Sequence, residues 1–344
     1  MLLIAATLRL AFLPSQGLVH YDEGVHLMEA RFLRTVVVHD HLHRAVEVDG
    51  LPLVHGKPLH AAFLALGQAV LGDRPWVGAV VMACFSIGLV ALAYLLGRRF
   101  FGGSAGLWAA LLLATNPWAI LYGRLALPEA DSTFLALLAI WLATRDGAPS
   151  VRRAALVGLT SSLAFQANYR WLVLLPVFYL GLELVAWRWR GEPRPHAGRL
   201  ALRVLVYVLC FLLPLLLTDF LYSAWILGDR LLAATRSRTY FEDLAWNIHK
   251  FSEQGWATGL RDPLRFPFFA LRFGGPVLLA GLVLGGREAW RRARLARDAE
   301  GRAAASSLLL ALAPPFLLLL SACGFPRCLS IALAPWAILG GLWL

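Results

Sequence analysis

Apolar residues run along this chain in long blocks separated by short clusters of charge. A helix needs about 20 apolar residues to cross a hydrocarbon core of roughly 30 Å. The blocks therefore predict ten membrane spans, at 1–14, 76–97, 105–121, 128–144, 152–168, 171–187, 202–224, 266–286, 303–322 and 328–344. The expected fold is all-α and polytopic, one unit over 1–344 with no soluble domain after the last span. Two longer segments interrupt the rhythm, at 15–75 and 225–265. Within the first, Val25, Leu27, Met28, Phe32, Leu33 and Val36 recur near helical spacing with Glu29, Arg31 and Arg34 between them, which predicts a helix lying on the membrane surface. Residues 59–71 are apolar but short, as a re-entrant or interfacial helix would be. No internal repeat or low-complexity tract is present.

Composition supports this reading. The chain is 59% hydrophobic and 15% charged, against about 25% charged in soluble domains, which excludes a soluble enzyme, a disordered chain and a disulfide scaffold. The net charge of +11 first suggests nucleic acid, but the charges are interleaved with apolar blocks rather than gathered on one face, so no nucleic-acid partner is expected. Topology explains the excess. One set of connections holds Arg98, Arg99, Arg145, Arg152, Arg153, Arg188, Arg190, Arg194, Arg199, Arg203, Arg287, Arg291, Arg292, Arg294, Arg297 and Arg302 against six acids, and the opposite set is balanced. Lys and Arg accumulate on the cytoplasmic side. Both termini are accordingly placed in the cytoplasm, and segments 15–75 and 225–265 outside a plasma (inner) membrane. Of the four cysteines, only Cys323 and Cys328 are placed to pair.

Candidate chemistry lies on the outer side. Tyr21-Asp22-Glu23, at the exit of the first span, sets two carboxylates at the surface, where one can act as general base toward a hydroxyl; a solvated turn is the plainer reading of such a pair. Lys57, Arg124, Arg170 and Arg327 are single cations in otherwise apolar outer connections, with Glu129 and Asp131 nearby. Arginine suits bidentate phosphate binding and lysine acts as a point charge; singly, each can also snorkel to a headgroup. Taken together they describe a site for a lipid phosphate. Seven of the nine histidines lie in the first outer segment, and His39-Asp40-His41-Leu42-His43 alternates ligand types. That alternation suits a transition metal and also an ordinary hydrophilic loop. Tryptophans such as Trp76, Trp118, Trp171, Trp187 and Trp189 sit near span ends as interfacial anchors.

The succession Leu8-Arg9-Leu10, Asp22-Glu23, Gly56-Lys57-Pro58-Leu59, Gly97-Arg98-Arg99-Phe100, Asn116-Pro117, Arg124-Leu125-Ala126-Leu127-Pro128-Glu129, Tyr169-Arg170 and Pro326-Arg327 resembles the integral-membrane GT-C glycosyltransferases. It is most similar to the protein O-mannosyltransferase and lipid A aminoarabinose transferase branch, described as dolichyl-phosphate-mannose-protein mannosyltransferases. The resemblance implies a GT-C fold that transfers a sugar, with inversion, from a polyprenyl-phosphate donor to a hydroxyl of a lipid, glycan or protein acceptor on the periplasmic or extracellular side. It also implies that Asp22 is the catalytic carboxylate with Glu23 as its partner. Glu129, or Asp131, is the acid opening the fourth span, and Lys57, Arg170 and Arg327 are the basic residues of the donor site.

Several positions depart from the family pattern. Leu59 follows Pro58 where a second proline is usual, Cys328 follows Arg327 where tyrosine is usual, and His26 replaces an aromatic residue. Gly56 stands where some relatives carry an acidic residue linked to metal, so no cofactor is assigned, a divalent metal being the one candidate. Two other readings remain from the sequence: a non-catalytic GT-C-like subunit of a membrane complex, and a lipid transporter or flippase marked by charges such as Glu183 and Asp219 within spans.

Overall fold

The computed structural model describes residues 1–39, 56–145, 149–171, 174–189, 197–221, 239–245, 249, 265–296, 298–320 and 330–344. Among them all regular structure is helical. The helices are α1 (Leu2–Leu10), α2 (Leu13–Gln16), α3 (Tyr21–His39), α4 (Pro58–Leu71), α5 (Pro75–Phe101), α6 (Gly103–Thr115), α7 (Pro117–Tyr122), α8 (Glu129–Ala143), α9 (Val151–Ala167), α10 (Leu174–Trp189), α11 (Ala197–Leu221), α12 (Arg265–Leu295), α13 (Ala299–Leu320) and α14 (Ser330–Trp343). Proline at the first helical position opens α4, α5 and α7, where its missing N–H costs nothing.

The bundle is assembled around α14. Residues Ile331–Gly341 are buried without interruption, as in a helix apolar on every side and enclosed by neighbours. It packs against α5, α6, α12 and α13. Close approach is achieved with small residues, the usual device where lipid removes the hydrophobic drive between helices. A Cβ on Gly281 would lie 2.7 Å from Gly340 Cα, and one on Gly285 would fall on the Leu339 carbonyl oxygen. These two glycines, one turn apart on α12, let its backbone touch α14.

The amino-terminal region turns from the bundle onto the surface. Phe12 takes a left-handed φ of 59°, and the axis of Tyr21–Arg34 is bent by 83° from that of Leu2–Gln16. The surface helix expected over 23–38 is α3, with one difference in its faces. Glu29 is buried and Met28 is half exposed, because Glu29 has a partner inside, while Arg31 and Arg34 reach Asp73 beyond the end of α4 at 2.7 and 3.6 Å.

By length and composition, Pro75–Phe101 and Gly198–Leu221 can each cross a membrane, and a third crossing arises if the bent pair is one broken span. Among the described residues these are the helices that meet both criteria, so the ten expected spans are not confirmed. The physical reason is length: α6, α8, α9, α10 and α14 have 13, 15, 17, 16 and 14 residues, which rise only about 20–25 Å. The span charges that would mark a transport path have local partners. Glu183 accepts from Arg203 at 2.8 and 3.3 Å and from Tyr179 at 3.0 Å, and Asp219 accepts from the Phe241 amide at 3.1 Å.

Replacing Gly285 by Val should therefore force α12 and α14 apart, at a cost of about 1–3 kcal/mol. The thermal midpoint in detergent should drop, whereas Gly198→Ala, which meets open space, should leave it unchanged. Equal midpoints for the two variants would contradict this packing.

Candidate functional site

The outer ends of α3, α4 and α8 meet with the short connection after α9. The first turn of α3 begins with a reciprocal cap. The His20 ring accepts from the Asp22 amide at 3.2 Å, and Glu23, at the third helical position, reaches back to the amides of Val19 and His20 at 2.9 and 2.8 Å. This is the logic of a capping box with histidine at its head. The other Glu23 oxygen accepts from the Ala126 amide at 3.0 Å. Glu23 is thus buried with three backbone donors, and it ties the start of α3 to the 123–128 turn. Asp22, expected to share the chemistry with it, is half-buried at the second position of α3.

Arg124 likewise has a structural task. Its guanidinium donates to the carbonyls of Leu8 and Ala11 at 3.4 and 2.7 Å, closing the last turn of α1. Arg9, fully buried in that helix, donates to Ser86 Oγ at 2.7 Å and to the carbonyls of Leu113 and Ala114 at 3.1 Å each, closing α6. Asn116 opens α7 by accepting from the amides of Trp118 and Ala119 at 3.0 and 2.9 Å, and donates to the Gly274 carbonyl at 3.2 Å beside the kink of α12. Three of the short motifs noted in the sequence therefore end helices inside the bundle.

The remaining expected site residues converge. Glu129 and Asp131 occupy the first turn of α8 and are buried, where the positive helix end favours carboxylates. Arg170, in the one-turn 3-10 helix Tyr169–Trp171, stands 3.7 Å from Glu129. Asp131 faces His60 of α4, Oδ2 to Nδ1 2.8 Å, with neither side chain exposed. The His60 ring stands edge to face on His26, centroids 4.9 Å apart, and His26 Nδ1 is 2.8 Å from Glu29. Burial, and next the charge of Lys57, push the His26 pKa down to about 3. The ring is neutral, so its Nδ1–H donates to the Glu29 carboxylate. Lys57 itself precedes α4. The amide of Gly56, whose φ of 68° places it in the left-handed region, donates to buried Asp243 at 2.8 Å. Beside Glu129 lies a small cleft of about 20 Å³ lined by Ser86, Leu89, Leu113, Tyr122 and Ala334.

Asp22, Lys57, Glu129, Asp131 and Arg170 are thus brought to one end of the bundle by four separate segments. His60, Glu29 and Asp243 join them without having been singled out in the sequence. The alternation of charge in α3 gave no sign that Glu29 turns inward, and Asp243 lies 187 residues from its partner. Arg327, the pair Cys323 and Cys328, residues 40–43 of the histidine-rich stretch and most of 225–265 lie outside the described residues; the His39 side chain does too. Among the described residues no group of three or more His, Cys, Asp or Glu side chains is gathered as a metal site would require.

Comparison with known proteins agrees with this architecture. The family model described as dolichyl-phosphate-mannose-protein mannosyltransferase matches residues 54–213. No curated protein sequence matches significantly. Among solved structures, ArnT from Cupriavidus metallidurans bound to undecaprenyl phosphate is similar with a TM-score of 0.68 and 18% identity, over 99% of this chain and 58% of that one. The archaeal oligosaccharyltransferase AglB from Archaeoglobus fulgidus, in complex with an inhibitory peptide and a dolichol-phosphate, gives 0.66 and 15%, over 99% and 49%. The fold is that of these GT-C glycosyltransferases. The chain spans about half to three fifths of the length of the structures it matches.

Because Glu23 satisfies three buried amides, Glu23→Ala should destabilise the protein by about 2–4 kcal/mol, read as a lowered thermal midpoint. Asp22→Asn should leave the midpoint in place. A stable Glu23→Ala protein would show that the cap is dispensable.

Proposed function

We propose that this protein is a glycosyltransferase that moves a sugar from a polyprenyl-phosphate donor to an acceptor hydroxyl at the outer face of a plasma (inner) membrane. It crosses that membrane in about ten spans with both termini inside. The single observation that carries the reading is the junction of α3, α4, α8 and the Tyr169–Trp171 turn. It brings the first turn of α3, which carries the half-buried Asp22, together with the Lys57 connection and the Glu129–Arg170 pair at one end of the bundle. The fold and the family match over 54–213 support it, and the locally paired Glu183 and Asp219 favour transfer over transport.

In this reading the donor phosphate sits between Lys57 and Arg170, with Arg327 completing the cation set. Asp22 accepts the proton of the acceptor hydroxyl as its oxygen attacks the anomeric carbon from the face opposite the phosphate. The carbon–phosphate oxygen bond breaks, polyprenyl phosphate leaves with the electron pair, and the configuration inverts. Lys57 and Arg170 meet the negative charge that grows on the departing phosphate, an interaction strengthened where water is excluded. Glu129 holds Arg170 in place, and Glu23 sets the turn that presents Asp22.

The test is release of polyprenyl phosphate from a panel of polyprenyl-phosphate-linked sugars by the purified protein, followed by mass spectrometry. Wild type should release it. Asp22→Asn should lose on the order of 10²–10⁴-fold in turnover with donor binding and thermal midpoint retained. Failure with every donor, or normal turnover by Asp22→Asn, would overturn the function or the base assignment respectively. The topology has its own check: an impermeant thiol reagent added from outside should label a cysteine introduced at residue 45 and spare one at residue 295. The reverse pattern would place the site on the wrong side.

A further inference from the structure

The polar string Glu29–His26–His60–Asp131 has no role in the transfer chemistry above, yet it fills the space between three helices with groups that are costly to bury. Its outer members have their hydrogen-bond needs met in part by neighbours: Asp131 Oδ1 accepts from the Ser132 amide at 2.7 Å while Oδ2 accepts from His60. The histidine in the middle does not. His60 is fully buried, Nδ1 is spent on Asp131, and Nε2 has no hydrogen-bond partner among the described residues. An unpartnered ring nitrogen in such a place lowers stability. A phenyl ring of similar size would fill the same volume without that loss. A histidine at this position therefore serves its one strong bond, to Asp131, better than it serves the packing.

That bond joins two helix starts. His60 lies in the first turn of α4, three residues after Lys57. Asp131 lies in the first turn of α8, two residues after Glu129. On its other side, the Lys57 connection is pinned by the Gly56 amide on Asp243. Among the described residues α4 packs chiefly on α3, α5 and α9, and a polar tie from its first turn to the first turn of α8 is His60 to Asp131.

We propose that His60 is a positioning residue: its Nδ1–H, donated to Asp131, registers the first turn of α4 on the first turn of α8 and so fixes the spacing between Lys57 and Arg170 across which a lipid phosphate is held. This rests on the reading that these two cations bind the donor phosphate. His26, neutral and edge-on to the ring, fixes the tilt of His60. The tautomer follows, since an imidazole facing a carboxylate through Nδ1 carries its proton there and leaves the lone pair on Nε2.

The experiment uses the full-length chain in lipid nanodiscs, with undecaprenyl phosphate as the probe. Its apparent dissociation constant and the thermal midpoint are measured for wild type, His60→Phe, His60→Gln and His60→Asn. The Asn amide can take the place of Nδ1–H, Gln takes that of Nε2, and Phe supplies the ring alone. His60→Phe and His60→Gln should bind the probe roughly 10- to 100-fold more weakly, the scale on which small displacements in a binding constellation act. His60→Phe leaves the buried Asp131 carboxylate without its ring partner and should lower the thermal midpoint. His60→Asn should return binding to within about threefold of wild type. Wild-type binding by His60→Phe, or weakening in all three variants in step with a lower midpoint, would overturn the positioning role and leave His60 a packing residue. Should His60→Phe not fold, Asp131→Leu reads the same bond from the other side: weakened binding supports the role and unchanged binding overturns it. If wild type does not bind undecaprenyl phosphate at all, the phosphate site itself fails and the positioning role falls with it, an outcome distinct from normal wild-type binding that is insensitive to His60.

Discussion

A backbone amide or carbonyl left unpartnered in an apolar interior costs several kcal/mol, and a membrane-embedded bundle has no water to supply the missing bond. This protein breaks its backbone repeatedly among its helices, at Phe12, between α6 and α7, and in the 123–128 turn. Each break exposes helix-terminal groups that must be met from within. The side chains that meet them are the charged and amide residues that stand out in an apolar sequence. Arg9 closes α6, Arg124 closes α1, Asn116 opens α7 and Glu23 opens α3 while holding Ala126. Without these bonds the outer rim would have no fixed shape, and the proposed chemistry depends on that shape.

The same constraint sorts the polar residues by task. A carboxylate saturated by three backbone amides, as Glu23 is, has little left with which to take a proton, so the proposed base is its half-buried neighbour Asp22. An arginine whose fork is filled by two carbonyls, as in Arg124, is an internal cap. Arg170, in a one-turn helix, is set against the Glu129 carboxylate at 3.7 Å. Glu23 and Arg124 thereby serve the backbone, while Arg170 pairs with an acid.

The sequence made the helices legible because apolar runs and charged breaks follow directly from the cost of polar groups in lipid. The start of α3 could be read to within two residues from its amphipathic spacing, and the convergence of Lys57, Glu129 and Arg170 on one rim agrees with their shared place at the outer ends of runs. Other features were not legible. Asp22-Glu23 reads as a pair, and only the turn shows that Glu23 is spent on backbone amides. His60 sits in an apolar stretch and reads as interfacial; its partner Asp131 is 71 residues away. Glu29 falls on the polar side of α3 by periodicity and is turned inward by His26, a neighbour one turn away whose burial no local pattern reveals. The count of ten spans is not confirmed among the described residues, where hydropathy marks apolar length and several helices break short of a full crossing.

Tertiary pairing thus does for this site what sequence proximity cannot: it brings short segments from four parts of the chain to one rim and fixes them with buried bonds. The central claim is that this rim holds a lipid phosphate between Lys57 and Arg170. A structure of the protein in a lipid nanodisc with undecaprenyl phosphate added tests it most directly. The account predicts density for the phosphate within hydrogen-bonding distance of Lys57 Nζ and the Arg170 guanidinium. A phosphate bound elsewhere on the protein, with Lys57 and Arg170 turned away from it, would contradict the account.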